Sequence, residues 1–270
     1  MKFSPLAADP RSDCSQTCLP SASSAARPRH RSLGAEEVHV WFAFLDDLMP
    51  CLGSFLATLT PDEIERAGRF HFQKDRDQYV LARGLLREIL SCFCGIHPGK
   101  LRFRYGAHGK PALIVERANA DLRFNLSHAQ QAVLCAVTRD REVGVDLEQL
   151  RENIGDRGLE ERFFSPREAA ALTRLPCDEW HKAFFTCWTR KEAYVKAKGE
   201  GLSMDPRSFD VFDSRDLAPR LCIENDPREA ARWALVDLDV PAGYIAALAI
   251  EGDAHRVICQ TWPITGNQQP

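Results

Sequence analysis

Ser165-Pro166-Arg167-Glu168 repeats, 105 residues downstream, the pattern of Thr60-Pro61-Asp62-Glu63. Each tetrapeptide has a hydroxyl residue suited to cap a helix, a proline in the first helical position and a glutamate that closes a capping box. The first leads into a helical stretch from about Asp75 to Cys94, where Tyr79, Leu81, Ala82, Leu85, Leu86, Ile89 and Leu90 recur at helical spacing. Strand signals then follow at LRFRY, LRFNLS, AVLCAV and VGVDLE. The second leads into another long helix and the β-like segments SFDVFD, RLCIE, RWALVDLDV and YIAALAI. One more strand precedes both, VHVWFAFLDD, in which Val38, Val40 and Phe42 alternate with His39, Trp41 and Ala43. Such a repeat predicts an α+β fold of two pseudo-symmetric α/β halves with the active site in the cleft between them. The expected division is a disordered leader over 1–35, an N-terminal half over 36–143 and a C-terminal half over 144–265.

A chain of 270 residues that is 44% hydrophobic has ample material for a real core. Its 35 basic and 38 acidic residues leave a formal net charge of -3, which gives no general affinity for nucleic acid or an anionic membrane. No apolar run approaches the roughly 18–20 residues of a membrane helix, and the start lacks the apolar segment of a signal peptide. The expected location is the cytoplasm. The ten cysteines are mostly scattered through apolar or helical contexts, as reduced thiols packing like small hydrophobes, so no disulfide framework is expected. Two local groups, Cys14 and Cys18 with His30, and Cys92 and Cys94 with His97, lack the second matching pair that a structural zinc site needs.

The stretch CWTRKEAYVKAKGEGL, Cys187 to Leu202, poses the chemical question. As an amphipathic helix it places Glu192 on the inward stripe with Trp188 and Val195, and an isolated buried carboxylate is very costly. A partner is supplied by VGVDLEQL, residues 143–150: in a strand, Val143, Val145 and Leu147 face one way and Asp146 and Glu148 the other, roughly 7 Å apart. Taken alone, that octet is equally consistent with two solvent-facing acids. With Glu192, the three carboxylates make a set of hard oxygen ligands suited to Mg²⁺. Lys196, one helical turn beyond Glu192, is placed either for a simple ion pair or to neutralise a phosphate. Ser127 and His128 end the strand FNLSHA as donors for an anion or as a polar turn. Neither GKP at 109–111 nor KGEGL at 198–202 matches a nucleotide-binding phosphate loop, and no G-x-G-x-x-G follows a strand.

Taken in order, GKP, FNLSHA, GVDLE, RFFSPRE and WTRKEAYVKAKGEGL resemble the Sfp-type 4'-phosphopantetheinyl transferases from about Thr60 to Leu202. The Trp and KEA form is similar to the branch linked to secondary-metabolite synthases. The resemblance implies that coenzyme A lies across the cleft with Mg²⁺ on its pyrophosphate. Phosphopantetheine then passes to a serine of an acyl or peptidyl carrier protein of a fatty acid, polyketide or nonribosomal peptide synthase, releasing 3',5'-ADP. Mapped by motif, Asp146, Glu148 and Glu192 hold the metal, and Glu192, or a water on the metal, takes the serine proton. Lys196 stabilises the phosphoryl oxygens, and Asp146, Glu192 and Lys196 form the catalytic set. Lys110, Pro111, Ser127 and His128 meet the nucleotide, while Arg66, Arg69, Arg83 and Arg87 are candidates for its 3'-phosphate. Because each half then supplies what a second subunit otherwise would, the chain is expected to work as a monomer. The competing readings are a non-catalytic carrier-binding module and another Mg²⁺-dependent phosphotransferase.

Overall fold

The computed structural model describes residues 31–114, 121–150, 158–213 and 217–262. Strand β1 (Glu37–Phe44) is followed by the short helices α1 (Leu45–Leu48) and α2 (Leu52–Leu56), then α3 (Pro61–Gly68) and the 22-residue α4 (Gln73–Cys94). Next come β2 (Arg102–Tyr105), β3 (Pro111–Ile114), β4 (Leu122–Ala129), β5 (Ala132–Arg139) and β6 (Val143–Gln149). The chain continues with α5 (Glu160–Phe163), α6 (Pro166–Thr173) and a second 22-residue helix, α7 (Cys177–Lys198). It then runs through β7 (Asp210–Phe212), β8 (Pro219–Cys222), α8 (Pro227–Ala230), β9 (Trp233–Leu238), β10 (Tyr244–Glu251) and β11 (Arg256–Thr261). The strands form a four-stranded sheet ordered β11-β1-β5-β4, a three-stranded sheet ordered β6-β10-β9, and the hairpins β2-β3 and β7-β8.

The alternation read in the sequence separates two cores. Val38, Val40 and Phe42 of β1 and Ala132, Leu134 and Ala136 of β5 meet Val143, Val145, Leu147, Leu248 and Ile250 between the two sheets. On the opposite face, Trp41, Val133, Cys135 and Val137 pack under Leu81, Leu85 and Ile89 of α4. The second sheet repeats the plan, with Ala247 and Ala249 under Ala193, Tyr194 and Ala197 of α7. The layers therefore run helix, sheet, sheet, helix, and each wholly buried Leu, Ile or Val contributes about 1.5–3 kcal/mol. Both long helices stop at a glycine in the left-handed conformation, Gly95 at φ 68° and Gly199 at φ 72°, as a C-terminal cap demands.

Both capping boxes are present, and in each the glutamate is wholly buried and serves a second purpose. Glu63 accepts from the Thr60 N–H at 2.9 Å, from Arg83 Nε at 2.5 Å and from Arg87 Nη2 at 2.5 Å. Glu168 accepts from the Ser165 N–H at 3.0 Å, from the Val211 N–H at 2.8 Å and from Lys191 Nζ at 2.7 Å. Arg87 and Lys191 occupy the same place in the two 22-residue helices. Burial pushes Glu63 up, but the Thr60 N–H and the two guanidiniums outweigh it and hold its carboxyl below the usual range. At Glu168 burial prevails over the single ammonium, and the carboxyl is held above that range.

Three sequence expectations are corrected. The leader does not reach residue 35: Leu33 is buried in the first core, and the Arg31 N–H donates to the Cys92 carbonyl at 2.7 Å. Residues 1–30 lie outside the described part, with Cys14, Cys18 and His30. The C-terminal stretch also does not stay with the second sheet, because β11 pairs in parallel with β1. Arg83 and Arg87 are not open to a phosphate: the Arg87 guanidinium is fully buried and also donates to the carbonyls of Pro98 and Leu101. All eight described cysteines are free.

Glu63→Ala should cost about 3–5 kcal/mol, because it strands two guanidiniums in the core. The readout is the urea midpoint at constant slope. A loss under about 1 kcal/mol would mean that the arginines find other acceptors.

Candidate active site

Strand β4 edges one sheet and β6 edges the other, and the two run side by side without a backbone ladder. Side chains of β4 take its place. Asn125 Oδ1 accepts from the Val145 N–H at 3.0 Å, and Ser127 Oγ accepts from the Leu147 N–H at 3.3 Å. These bonds fix the register between the halves and set Asp146 beside Ser127.

Asp146 lies on the β6 face turned toward α7, two residues from Gly144. A Cβ at Gly144 would overlap the Ala193 carbonyl oxygen and the Ala197 backbone nitrogen, so glycine is what lets α7 lie this close. That approach brings Lys196 Nζ to 2.6 Å from Asp146 Oδ1 and 3.0 Å from Ser127 Oγ. The Ser127 hydroxyl itself donates to the same carboxylate oxygen at 3.0 Å. The other oxygen, Asp146 Oδ2, is buried and has no hydrogen-bond partner. An unsatisfied anionic oxygen is costly, and a cation is the ligand that would satisfy it.

Glu192 is half-buried on α7, and burial, followed by repulsion from Asp146, raises its carboxyl pKa against the pull of Lys196. Glu148 is half-buried two residues along β6 from Asp146. The acids are not gathered into a cage: among the described residues no three His, Cys, Asp or Glu side chains stand together as metal ligands. Lys196 supplies Asp146 with its countercharge instead. The oxygen-only donor set and the orphaned Oδ2 nonetheless suit a hard divalent ion. Trp188 is half-buried rather than core, its ring edge-to-face with Phe163 at 5.2 Å. His128 stays exposed at the rim, yet desolvation and the Lys196 ammonium hold its imidazole below the usual value.

The basic candidates separate. Lys110 is a clamp, donating to Glu142 at 2.8 Å and to the Ala197 carbonyl at 2.6 Å. Burial lowers its pKa, with Glu142 opposing. Arg69 pairs with Glu65 at 2.7 Å on the surface of α3, and exposed Arg66 lies 5.9 Å above the Tyr79 ring. Beside the Lys110-Pro111 turn opens a groove of about 400 Å³. Its walls include Arg104, Tyr105, Arg123, Phe124 and Lys198. Sequence reading missed this groove, Asn125 and the meaning of Gly144, although a glycine inside an apolar strand is a recognisable sign of close backbone approach.

Residues 142–249 match the 4'-phosphopantetheinyl transferase superfamily, and residues 49–139 match the N-terminal region of 4'-phosphopantetheinyl transferases. The chain is 38% identical over 226 residues to the 4'-phosphopantetheinyl transferase HetI of Nostoc sp., covering 84% of this chain and 92% of that protein. It is 29% identical over 157 residues to Sfp of Bacillus subtilis, covering 58% of this chain and 67% of that one. Against the L-aminoadipate-semialdehyde dehydrogenase-phosphopantetheinyl transferase of Mus musculus it is 25% identical over 221 residues, covering 74% and 71%. The chain belongs to the 4'-phosphopantetheinyl transferase superfamily, and it is an enzyme that transfers phosphopantetheine from coenzyme A to carrier proteins.

Proposed function

We propose that coenzyme A lies along the β4–β6 seam, its nucleotide end in the groove by Lys110 and Pro111 and its pyrophosphate at the corner of Ser127, His128 and Lys196. The observation that carries this reading is the Asp146 carboxylate, hydrogen-bonded on one oxygen by Ser127 and Lys196 and bare on the other. The groove reaches Phe124, three residues along β4 from Ser127, or roughly 10 Å at strand spacing, so one extended nucleotide spans both places. Arg66 is the 3'-phosphate candidate that keeps its guanidinium exposed without a carboxylate partner among the described residues.

Asp146, Glu148 and Glu192 would hold Mg²⁺, which when bound neutralises charge on the pyrophosphate. Lys196 aims its ammonium at the same oxygens and stabilises the charge that builds there during transfer. Glu192, or a water on the metal, takes the proton from the carrier serine. The serine oxygen then bonds to the phosphorus that carries the pantetheine arm. The bond from that phosphorus to the bridging oxygen breaks, and 3',5'-ADP leaves with the electron pair. The acceptors are acyl or peptidyl carrier domains of fatty acid, polyketide or nonribosomal peptide synthases. The site joins the two halves of one chain, with β11 returning to the first sheet, and it needs no second copy because Ser127 comes from one half and Asp146, Glu192 and Lys196 from the other.

The test is the mass gain of an apo carrier protein incubated with enzyme, coenzyme A and Mg²⁺. A carrier that binds without gaining mass would return the protein to the binding-module reading, and phosphotransfer without coenzyme A would point to another phosphotransferase. Asp146→Ala should cut kcat by at least about 100-fold at an unchanged melting temperature; near-normal turnover would remove Asp146 from the site. Gly144→Ala should cost about 1–3 kcal/mol through overpacking. Its activity should fall further than its stability, since α7 must shift; a fully active variant would contradict the close-approach argument. Light scattering of the active enzyme should give a mass near the 30.4 kDa of one chain. Activity lost on dilution in step with dissociation of a dimer would refute the monomeric site.

A further inference from the structure

The groove beside Lys110 has a wall that the phosphates alone do not require. Tyr105 ends β2, is 42% exposed and lines the groove. Its position is fixed from behind. Arg83 Nη2 donates to the Tyr105 hydroxyl at 2.8 Å, and the same guanidinium is anchored by Glu63 at 2.5 Å and lies 4.2 Å above the Phe103 ring. Phe103 in turn meets Phe124, another lining residue, edge-to-face at 5.7 Å. An exposed aromatic face held still by a buried ion pair has already lost the freedom that binding would remove. Its surroundings are cationic: Arg104, Arg123 and Lys198 line the same groove. Arg123 and Lys198 have carboxylate partners, whereas Arg104 has no ion pair among the described residues.

An aromatic plate beside a guanidinium with no ion pair among the described residues suits a ligand with a flat base next to a phosphate. We infer that Tyr105 is the stacking wall for the purine of coenzyme A and of the 3',5'-ADP product, and that Arg83, fixed by Glu63, is the positioning residue that holds the ring. This rests on the proposed placement of the nucleotide in the groove. It gives Arg83 a part in nucleotide binding that acts through Tyr105 and requires no contact with phosphate.

Titration calorimetry with two probes separates the claims: 3',5'-ADP, and the same ribose bisphosphate without its base. Tyr105→Ala should weaken 3',5'-ADP about tenfold, leave the abasic bisphosphate unchanged and keep the melting temperature. The KM for coenzyme A should rise by a similar factor with kcat unaltered, because a remote contact is made equally in ground and transition states. Tyr105→Phe keeps the ring face but releases it from Arg83, so it should bind 3',5'-ADP about threefold more weakly than the wild type, between wild type and Tyr105→Ala. If Tyr105→Ala weakens both probes alike, or neither, the stacking role is overturned while the nucleotide placement stands. If Tyr105→Phe is as weak as Tyr105→Ala, the ring face contributes nothing of its own and the stacking role fails; if it binds as tightly as the wild type, Arg83 does not position the ring. Wild-type enzyme that does not bind 3',5'-ADP would remove the placement itself, and the inference with it.

Discussion

Everything chemical in this molecule depends on a seam at which two strands lie side by side without pairing. Had β4 and β6 formed a ladder, one continuous sheet would result, and the Val145 and Leu147 N–H groups would take backbone acceptors instead of Asn125 and Ser127. Instead Asn125 and Ser127 reach across and satisfy the Val145 and Leu147 N–H groups, which would otherwise be buried donors lacking acceptors. Ser127 serves two purposes there, since the hydroxyl that accepts from Leu147 also donates to Asp146. Register and chemistry are thereby coupled: a slip along the seam would break the backbone bond and move the serine away from the acid together.

The long helices must hold their rotation for the seam to be useful, and each half does so with a buried carboxylate at its capping box. Lys191 lies next to Glu192 in sequence, and its ammonium is held by Glu168 and by the carbonyls of Pro206 and Phe209. About 100° around the helix from that anchor, Glu192 is turned to the cleft. A buried ion pair often adds little net stability compared with apolar packing. Here it fixes an angle, which an interchangeable set of apolar contacts would leave looser. The N-terminal half uses the equivalent anchor, Glu63 with Arg83 and Arg87, to set the hairpin that carries Tyr105.

What was legible in the sequence was local or periodic. The capping boxes announce themselves within four residues. The alternation in VHVWFAF and VGVDLE told which side chains share a face, and both strands kept those faces in the fold. The inward glutamate of α7 and the acids of β6 could be brought together because helix and strand each have a known period. What was not legible depends on partners distant in the chain. Nothing near Arg83 or Arg87 shows that Glu63 will take their charges, so two arginines four apart looked like an open phosphate site. The edge strand β11 is half-exposed and lacks a clean alternation, which hid it. The groove is assembled from a hairpin, the start of β4 and the end of α7, and no single window contains it.

The pseudo-symmetry also explains why the cleft has one chemical centre and not two. Glu88 occupies the place in α4 that Glu192 occupies in α7, and burial likewise raises its carboxyl pKa. Its surroundings differ. One turn on, where α7 has Lys196, α4 has Cys92, whose thiol burial keeps protonated. The partner strand β1 has no carboxylate to match Asp146; on the face toward α4 its residues there are His39, Trp41 and Ala43. Beside a neutral thiol, Glu88 has His97 as its opposing influence. The same helix position therefore holds the acid of the candidate site in one half and a half-buried structural one in the other. The difference lies in two neighbours, an aspartate on the strand and a lysine one turn away, which the C-terminal half has and the N-terminal half lacks.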